Sequence, residues 1–432
     1  MLSAYRQVQA GGGGEVKGIS WRSQLAGILS RDVGGRCGFA WVAGAVALVT
    51  AAKLFVSWCA IGTNDAVYWM DFAEVIQKAG SVRIYALLGH YNHPPLISWL
   101  LAGLNVVEAR TGWPFPFLIR LLPILADAAS VFVIWHLLQR RRPSYALALT
   151  LICCFNPVSF LISAYHGNTD PVFIFLVLLA VLLAGSRRTF WAGLTLGLSL
   201  CVKIVPVMFV PVFWFWLQDR RERAVFSGAA LVFPLIVFAP ALILSPGPFF
   251  HNVFQYSGLK GIWGIGHLFL EAFAATGLLQ RAPHVAANVL VWLVWVTLSL
   301  FTLATILFSW RVVGRRRVDL VEGLFFVTAL FLILTPGFGV QYLSWLAYFA
   351  VLSAPVLGTA WVFLAGTFLL RVYAFWGGLA PPYYANSYLA GQWRGFDRLL
   401  DLTLWALLFI LLSFFSRRRR LLQAAVRPRA HP

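Results

Sequence analysis

The sequence predicts an all-α polytopic membrane protein of about 12 transmembrane helices, and three observations carry that expectation. Of 432 residues, 60% are hydrophobic and only 11% charged, with a mean hydropathy of +0.79. Runs at 173–184, 225–244, 285–308 and 399–415 are long or apolar enough to span or nearly span a bilayer, and they lack the polar face of a soluble core helix. Lys and Arg cluster between such runs, at Arg140–Arg142, Arg187-Arg188, Arg220-Arg221, Arg315–Arg317 and Arg417–Arg420, which is the positive-inside pattern. The same spacing argues against nucleic acid as the reason for the net charge of +19: the basic runs read as topology anchors beside anionic headgroups.

Taken in order, residues 1–38 are polar and Gly-rich, with no signal-peptide pattern, and read as a disordered cytoplasmic tail. With the basic runs cytoplasmic, spans fit at 39–60, 118–138, 144–164, 170–185, 190–202, 204–217, 225–245, 285–308, 319–335, 343–354, 356–376 and 399–416, followed by a basic cytoplasmic tail at 417–432. The pair 190–202 and 204–217 is read as a hairpin of short helices meeting near Lys203. That keeps Arg220, Arg221 and Arg223 inside, and it lifts Lys203 from mid-membrane, where a lysine costs about 2.5–3.5 kcal/mol or more. Pro206 suits the break. The outer side then holds 61–117, 246–284 and 377–398. Within the first of these, 70–79 and 95–108 read as helices lying along the interface, anchored by Trp99 and Trp113. Cys59, Cys153, Cys154 and Cys201 lie within or at the edges of apolar runs, fit no zinc spacing, and read as small core hydrophobes. No internal repeat supports an inverted-repeat transporter.

The polar residues that remain are few. Asp65 follows the first span closely and is the candidate general base; Asp71 and Glu74 read as solvated acids at a helix start. Tyr68 accompanies Asp65. Asn92-His93-Pro94-Pro95 reads as a rigid turn opening a helix, with Asn92 and His93 able to hold a phosphate or hydroxyl. His90-x-x-His93 lacks a third ligand, so no metal and no cofactor are assigned. His166, Asn168 and Asp170 pack one outer turn with more polar groups than a turn requires, a functional and a structural reading weighing equally there. Lys203 is the cation expected at a phosphate, against the plainer reading of a lysine snorkelling at a helix end. Gln341 and Tyr342 follow a Gly/Pro break and suit sugar binding or a simple hinge. Asp127, inside the second span, calls for a partner whose identity the sequence leaves open.

These elements, in this order, resemble the GT-C glycosyltransferases that use lipid-phosphate sugars, above all the GPI mannosyltransferase I catalytic subunits and their bacterial relatives. The family's Asp-x-Asp-Tyr is similar to Asp65-Ala66-Val67-Tyr68, and its Tyr-x-Pro-Leu element to His93-Pro94-Pro95-Leu96. Its Asp in span two resembles Asp127, and its Asn-Pro … Arg-Gly-Asn-x-Glu resembles Asn156-Pro157 … His166-Gly167-Asn168-Thr169-Asp170. Its Gly … Lys-x-x-Pro resembles Gly197 … Lys203-Ile204-Val205-Pro206, and its Gln-Tyr-x-x-Trp resembles Gln341-Tyr342-Leu343-Ser344-Trp345. Val67 stands where the family has a second Asp, and His166 where it has Arg.

The resemblance implies an inverting hexosyltransferase, most often for mannose. The donor would be a polyprenyl-phosphate sugar; the acceptor, a hydroxyl of a glycan, glycolipid or protein. Asp65 would be the base; Lys203, His93, Asn92 and His166 would face the donor phosphate; Tyr68, Asn168, Asp170, Gln341 and Tyr342 would face substrate. The Arg-, Ala- and Leu-rich composition reads as bacterial, with the site on the outer face of the cell membrane. A transporter or flippase of lipid-linked sugar and a non-catalytic scaffold subunit are the rival readings. A transporter would distribute ionisable groups along a midplane path, and here they gather at the outer face.

Overall fold

The computed structural model describes residues 36–256, 258–315, 318–377, 384–385 and 395–426. The predicted tail therefore lies outside the described residues up to position 35, and helix Arg36–Cys59 begins inside its last residues. At the other end, helix Phe396–Val426 runs on through Arg417–Arg420 before the remaining tail.

Every expected span is helical, but the helices fall into two lengths. Among the described residues, seven are long and apolar enough to cross a membrane, including Phe115–Arg141, Pro143–His166 and Arg220–Leu244. Asp170–Gly185, Thr189–Val202, Val205–Trp216, Leu320–Leu334 and Val340–Ser353 are shorter apolar helices. The protein is thus an all-α integral membrane protein in which seven of the expected spans have full crossing length and the other five are short apolar helices. In Leu343–Ser353 all eleven residues are buried, so it needs no polar face. Among the described residues, strand pairing is confined to two-residue contacts, Gly62–Thr63 with Tyr384–Ala385 and Leu259–Lys260 with Gly337–Phe338.

The break at Lys203 is present. Its backbone is extended (φ −154°, ψ 144°) between Thr189–Val202 and the turn at Val205–Phe209. Arg187, Thr189, Trp216 and Asp219 line one polar pocket, so both ends of the 189–216 segment return to the same side. That end also carries the Arg140–Ser186 hydrogen bond (2.7 Å) and the Arg141–Asp319 ion pair (2.5 Å). The hairpin expected from charge alone is therefore the observed geometry. Its first arm packs against Arg220–Leu244 through Gly193 and Gly197, where an added Cβ would lie 2.3 Å from the carbonyls of Phe226 and Ala230 respectively.

At the opposite end, the first long loop folds into helices Asn64–Ala79, Ile84–Leu87 and Pro95–Thr111. Asn64–Ala79 starts six residues before the expected 70–79 because Thr63 caps it, its hydroxyl accepting the Asp65 N–H at 3.3 Å. Asp65 is thus the acid of the first turn, not a loop residue, and Asp71 and Glu74 lie farther along the exposed face, Glu74 paired with Lys78. Pro95 occupies the first turn of its helix, as the Pro-Pro pair predicted.

Asp127 finds its partner in Lys53. The ammonium lies 2.8 Å from Asp127 Oδ2 and 3.2 Å from Ser159 Oγ; the Tyr348 hydroxyl reaches Asp127 Oδ1 (3.2 Å) and Ser159 (2.9 Å). This buried quartet ties Arg36–Cys59, Phe115–Arg141, Pro157–Leu161 and Leu343–Ser353 together at one point. Breaking one side of such a pair strands a charge in apolar surroundings, costing about 3–5 kcal/mol, whereas replacing both partners with apolar groups is close to neutral. Lys53→Met and Asp127→Leu should each lower the melting temperature of the detergent-solubilised protein sharply, and the double variant should recover most of it. Additive losses in the double variant would show that the pair carries no such coupling.

Candidate active site

The site forms where two loops are pinned by one arginine. Arg120 is fully buried and donates to the carbonyls of Ser57 (3.1 Å), Ala60 (2.7 Å) and Ile61, holding the end of the first helix. The chain must then pass around the guanidinium. It does so at Gly62 (φ +101°) and Gly167 (φ +80°), where an added Cβ would come within 2.0 Å and 3.0 Å of Arg120. These two glycines set the strand before Asp65 beside the turn bearing His166 and Asn168. Trp69 locks the second loop by donating to the Gly167 carbonyl at 2.7 Å.

Both groups that hold the Asp65 carboxylate bind the same oxygen. His166 Nε2 lies 3.0 Å from Oδ2, and the Asn168 amide donates to Oδ2 at 2.8 Å. Oδ1 accepts no hydrogen bond among the described residues, and Asp65 lines a cavity of about 340 Å³. Burial alone would raise its pKa. The proximity and hydrogen bond of His166, then the Asn168 amide and the charge of Lys203, outweigh that and hold the carboxyl below its ordinary range. The helix N-terminus beneath it favours the same charge state. An ionised carboxylate with one open oxygen is an acceptor for a proton.

The rest of the cavity wall is partly aromatic and partly polar. Tyr68, Trp69, Phe72 and Phe338 supply ring faces; Asn92, His93, Asn168, Lys203 and Gln341 supply polar groups. Tyr68, Phe72 and His90 contact one another, with Tyr68 half-exposed at the mouth. Two buried wall atoms, His93 Nδ1 and Gln341 Oε1, have no hydrogen-bond partner among the described residues and remain available to a polar ligand. Lys203 Nζ is 2.5 Å from Asp170 Oδ1, while Trp345 Nε1 donates to Asp170 Oδ2 at 2.7 Å. The ammonium also faces the rings of Trp345 (5.5 Å) and Tyr342 (5.9 Å). Beyond Lys203 a second pocket of about 160 Å³ opens between Val294, Leu298, Phe301, Phe331 and Leu334. The two pockets share Asn92, Lys203 and Tyr256.

The candidates from sequence therefore converge on one place in different roles. Asp65, Tyr68, Asn92, His93, Asn168, Lys203 and Gln341 line the cavity. His166 does not: it is fully buried behind Asp65, so direct contact with a donor phosphate gives way to support of the carboxylate. Asp170 is equally buried, with both oxygens bound to Lys203 and Trp345 rather than turned to a substrate. Tyr342 faces the apolar pocket, stacked on Trp345 at 4.0 Å. Sequence reading missed Arg120 and Tyr373, which lie in apolar runs, and Trp69 and Tyr256, aromatic residues of polar segments that carry no pattern of their own. The flanking Gly62 and Gly167 were the only trace of Arg120. Among the described residues no cluster of His, Cys, Asp or Glu could hold a metal ion.

Comparison with known proteins agrees with this arrangement. Residues 91–336 match the family described as Glycosyltransferase family 87. A GPI mannosyltransferase 1 of Aspergillus oryzae is 28% identical over 162 residues, 37% of this chain and 36% of that protein. The GPI mannosyltransferase 1 of Saccharomyces cerevisiae is 30% identical over 135 residues, 31% of this chain and 32% of its own length. That of Gibberella zeae is 30% identical over 134 residues, 30% and 29%. The chain thus spans about a third of the length of these curated relatives.

His93 gives the site a pH signature of its own. Burial, reinforced by the charge of Lys203 and partly offset by Asp65, pushes its pKa down to about 3. The unfolded chain takes up this proton near pH 6.5 and the folded chain does not, so the stability it confers is full above 6.5 and is lost as pH falls. Between pH 6.5 and 5 the loss should reach about 2 kcal/mol. His93→Gln should flatten that part of the melting temperature's dependence on pH. An unchanged slope in the variant would mean that His93 is already charged in the folded protein.

Proposed function

The chain belongs to glycosyltransferase family 87, and we propose that it transfers a hexose, mannose in the first instance, from a polyprenyl-phosphate carrier to an acceptor hydroxyl. The observation that carries this reading is the junction at Lys203: a polar cavity holding the open oxygen of Asp65 meets a greasy pocket, with the Lys203 ammonium between them. A lipid-phosphate sugar has those three parts in that order. The sugar would lie among Asn92, Asn168 and Gln341, the phosphate against Lys203, and the first isoprene units between Val294, Phe301 and Phe331.

In this mechanism Asp65 Oδ1 takes the proton from the acceptor hydroxyl. The acceptor oxygen attacks the anomeric carbon from the face opposite the phosphate. The bond between that carbon and the phosphate oxygen breaks, and its electron pair leaves with the polyprenyl phosphate, giving inversion. Lys203 meets the charge that develops on the leaving group. Asp170 and Trp345 hold Lys203, and His166 and Asn168 hold Asp65. The relatives' name, GPI mannosyltransferase 1, supports mannose as the sugar. Twelve crossings, with the basic runs in the cytoplasm, would put the cavity on the extracytoplasmic face of a bacterial cell membrane, a setting the Arg-, Ala- and Leu-rich composition supports.

Two experiments test the reading. Purified protein given polyprenyl-phosphate mannose and a glycan or glycolipid acceptor should release polyprenyl phosphate. Asp65→Asn should lower that rate at least 10²–10⁴-fold, as loss of a general base does, while the donor still binds. Asp71→Asn, on the exposed face of the same helix, should be nearly silent. Normal turnover by the Asp65 variant would remove the proposed base. The second concerns Lys203. Because its removal strands the buried Asp170, a double variant, Lys203→Met with Asp170→Asn, should fold better than Lys203→Ala yet bind donor about tenfold or more weakly. Lys203→Arg should lose less. Wild-type donor affinity in the double variant would reduce Lys203 to a packing role.

A further inference from the structure

We propose that Tyr373 is a positioning residue for the transfer. Its hydroxyl fixes His166 as the neutral imidazole with the proton on Nε2, and so decides which oxygen of Asp65 is held and which is left open. The proposal rests on Asp65 being the base.

Tyr373 belongs to helix Pro355–Gly377, beyond the stretch that matches the family, and no motif in the sequence marks it. Its ring lies against His166, centroids 5.8 Å apart at 27°, and its hydroxyl is 3.0 Å from Nδ1. For a neutral imidazole, the place of its one N–H follows from counting hydrogens. An ionised Asp65 only accepts, so Nε2, at 3.0 Å from Oδ2, must carry a proton. In the neutral ring Nδ1 is then an acceptor that needs a donor. Two hydroxyls are within reach, Tyr373 at 3.0 Å and Thr63 at 3.3 Å. The Thr63 hydrogen is already directed to the His166 carbonyl at 3.1 Å, and its oxygen accepts from the Asp65 N–H. The hydrogen left for Nδ1 is that of Tyr373.

Removing this hydroxyl leaves Nδ1 as a fully buried acceptor without a donor. The ring can relieve that by carrying a proton on Nδ1 and donating it to the Thr63 oxygen. If Nε2 gives up its proton in exchange, a lone pair faces Asp65 Oδ2 and the carboxylate loses its hold. If it does not, His166 becomes a cation and the charge at the base changes. Both outcomes place a proton on Nδ1, and both disturb Asp65 without touching a substrate.

The experiment is nitrogen NMR of the full chain labelled with ¹⁵N-histidine in lipid nanodiscs, with His166 assigned by difference against His166→Gln. At pH 7 the wild type should show Nε2 protonated and Nδ1 bare. Tyr373→Phe should move a proton onto Nδ1, lower kcat for transfer about tenfold, and leave the donor KM unchanged. Tyr165→Phe is the matched control. Tyr165 packs on Tyr373 at 5.2 Å and its hydroxyl has no partner among the described residues, so losing it should change neither readout. A wild-type His166 with a proton on Nδ1, whether neutral or doubly protonated, overturns the proposal, whether or not any variant folds. So does a Tyr373→Phe protein with the wild-type nitrogen signature, or a Tyr165→Phe protein with the same changes. If the wild type transfers nothing, the enzyme reading falls by itself, and the nitrogen signature still decides Tyr373.

Discussion

Everything at the Asp65 end of this protein follows from how one carboxylate is held. Asp65 keeps Oδ2 bound to His166 and Asn168 and turns Oδ1 to a cavity. A carboxylate bound on both oxygens would be a structural anchor, and one bound on neither would be a mobile surface acid. Bound on one, it is an oriented acceptor. Such an arrangement requires that the strand before Asp65 and the turn after His166 stay in register. Buried Arg120 enforces this with hydrogen bonds to backbone carbonyls, and the positive-φ glycines at 62 and 167 give it room.

The second constraint is a cation where polar and apolar space meet. A lysine in the middle of a hydrophobic segment is costly, and the chain meets that cost by breaking the helix at Lys203, pairing the ammonium with Asp170 and flanking it with Trp345 and Tyr342. Trp345 and Tyr348 sit on the same buried short helix, one turn apart. That helix therefore connects the Lys203 pair to the Lys53–Asp127 quartet deeper in the bundle. Buried ion pairs at these two points tie Leu343–Ser353 to Asp170 and to Asp127. On the proposed reading, this rigidity lets two pockets share a boundary sharp enough to place a phosphate.

Much of this was legible in the sequence, for identifiable reasons. Apolar runs and basic clusters pointed to the helices and to the hairpin, because the charge of Arg220, Arg221 and Arg223 allows only one folding of 190–217 that keeps them with the other basic runs. Rare polar residues in a greasy chain stood out, and seven of the ten site candidates do line one cavity. What was not legible depends on contacts between distant segments. Asp170 and His166 looked like ligand-facing residues because the sequence cannot show that Lys203, Trp345, Asp65 and Tyr373 are their partners, up to 207 positions away. The start of helix Asn64–Ala79 was misplaced because a threonine cap outweighs the polar character of Asn64-Asp65. The short lengths of five helices were legible as short apolar runs at 170–185, 190–202, 204–217, 319–335 and 343–354; that every residue of Leu343–Ser353 would be buried was not.

The central claim is that one lipid-phosphate sugar spans both pockets with its phosphate at Lys203. The direct measurement is a cryo-electron-microscopy structure of the protein in nanodiscs with a short-chain polyprenyl-phosphate mannose analogue bound. The account predicts phosphate density within hydrogen-bond reach of Lys203 Nζ, the sugar in the cavity lined by Asp65 and Gln341, and the isoprenoid between Val294 and Phe331. Phosphate density elsewhere, for instance in the polar pocket around Arg187 and Asp219 at the opposite end, would contradict it.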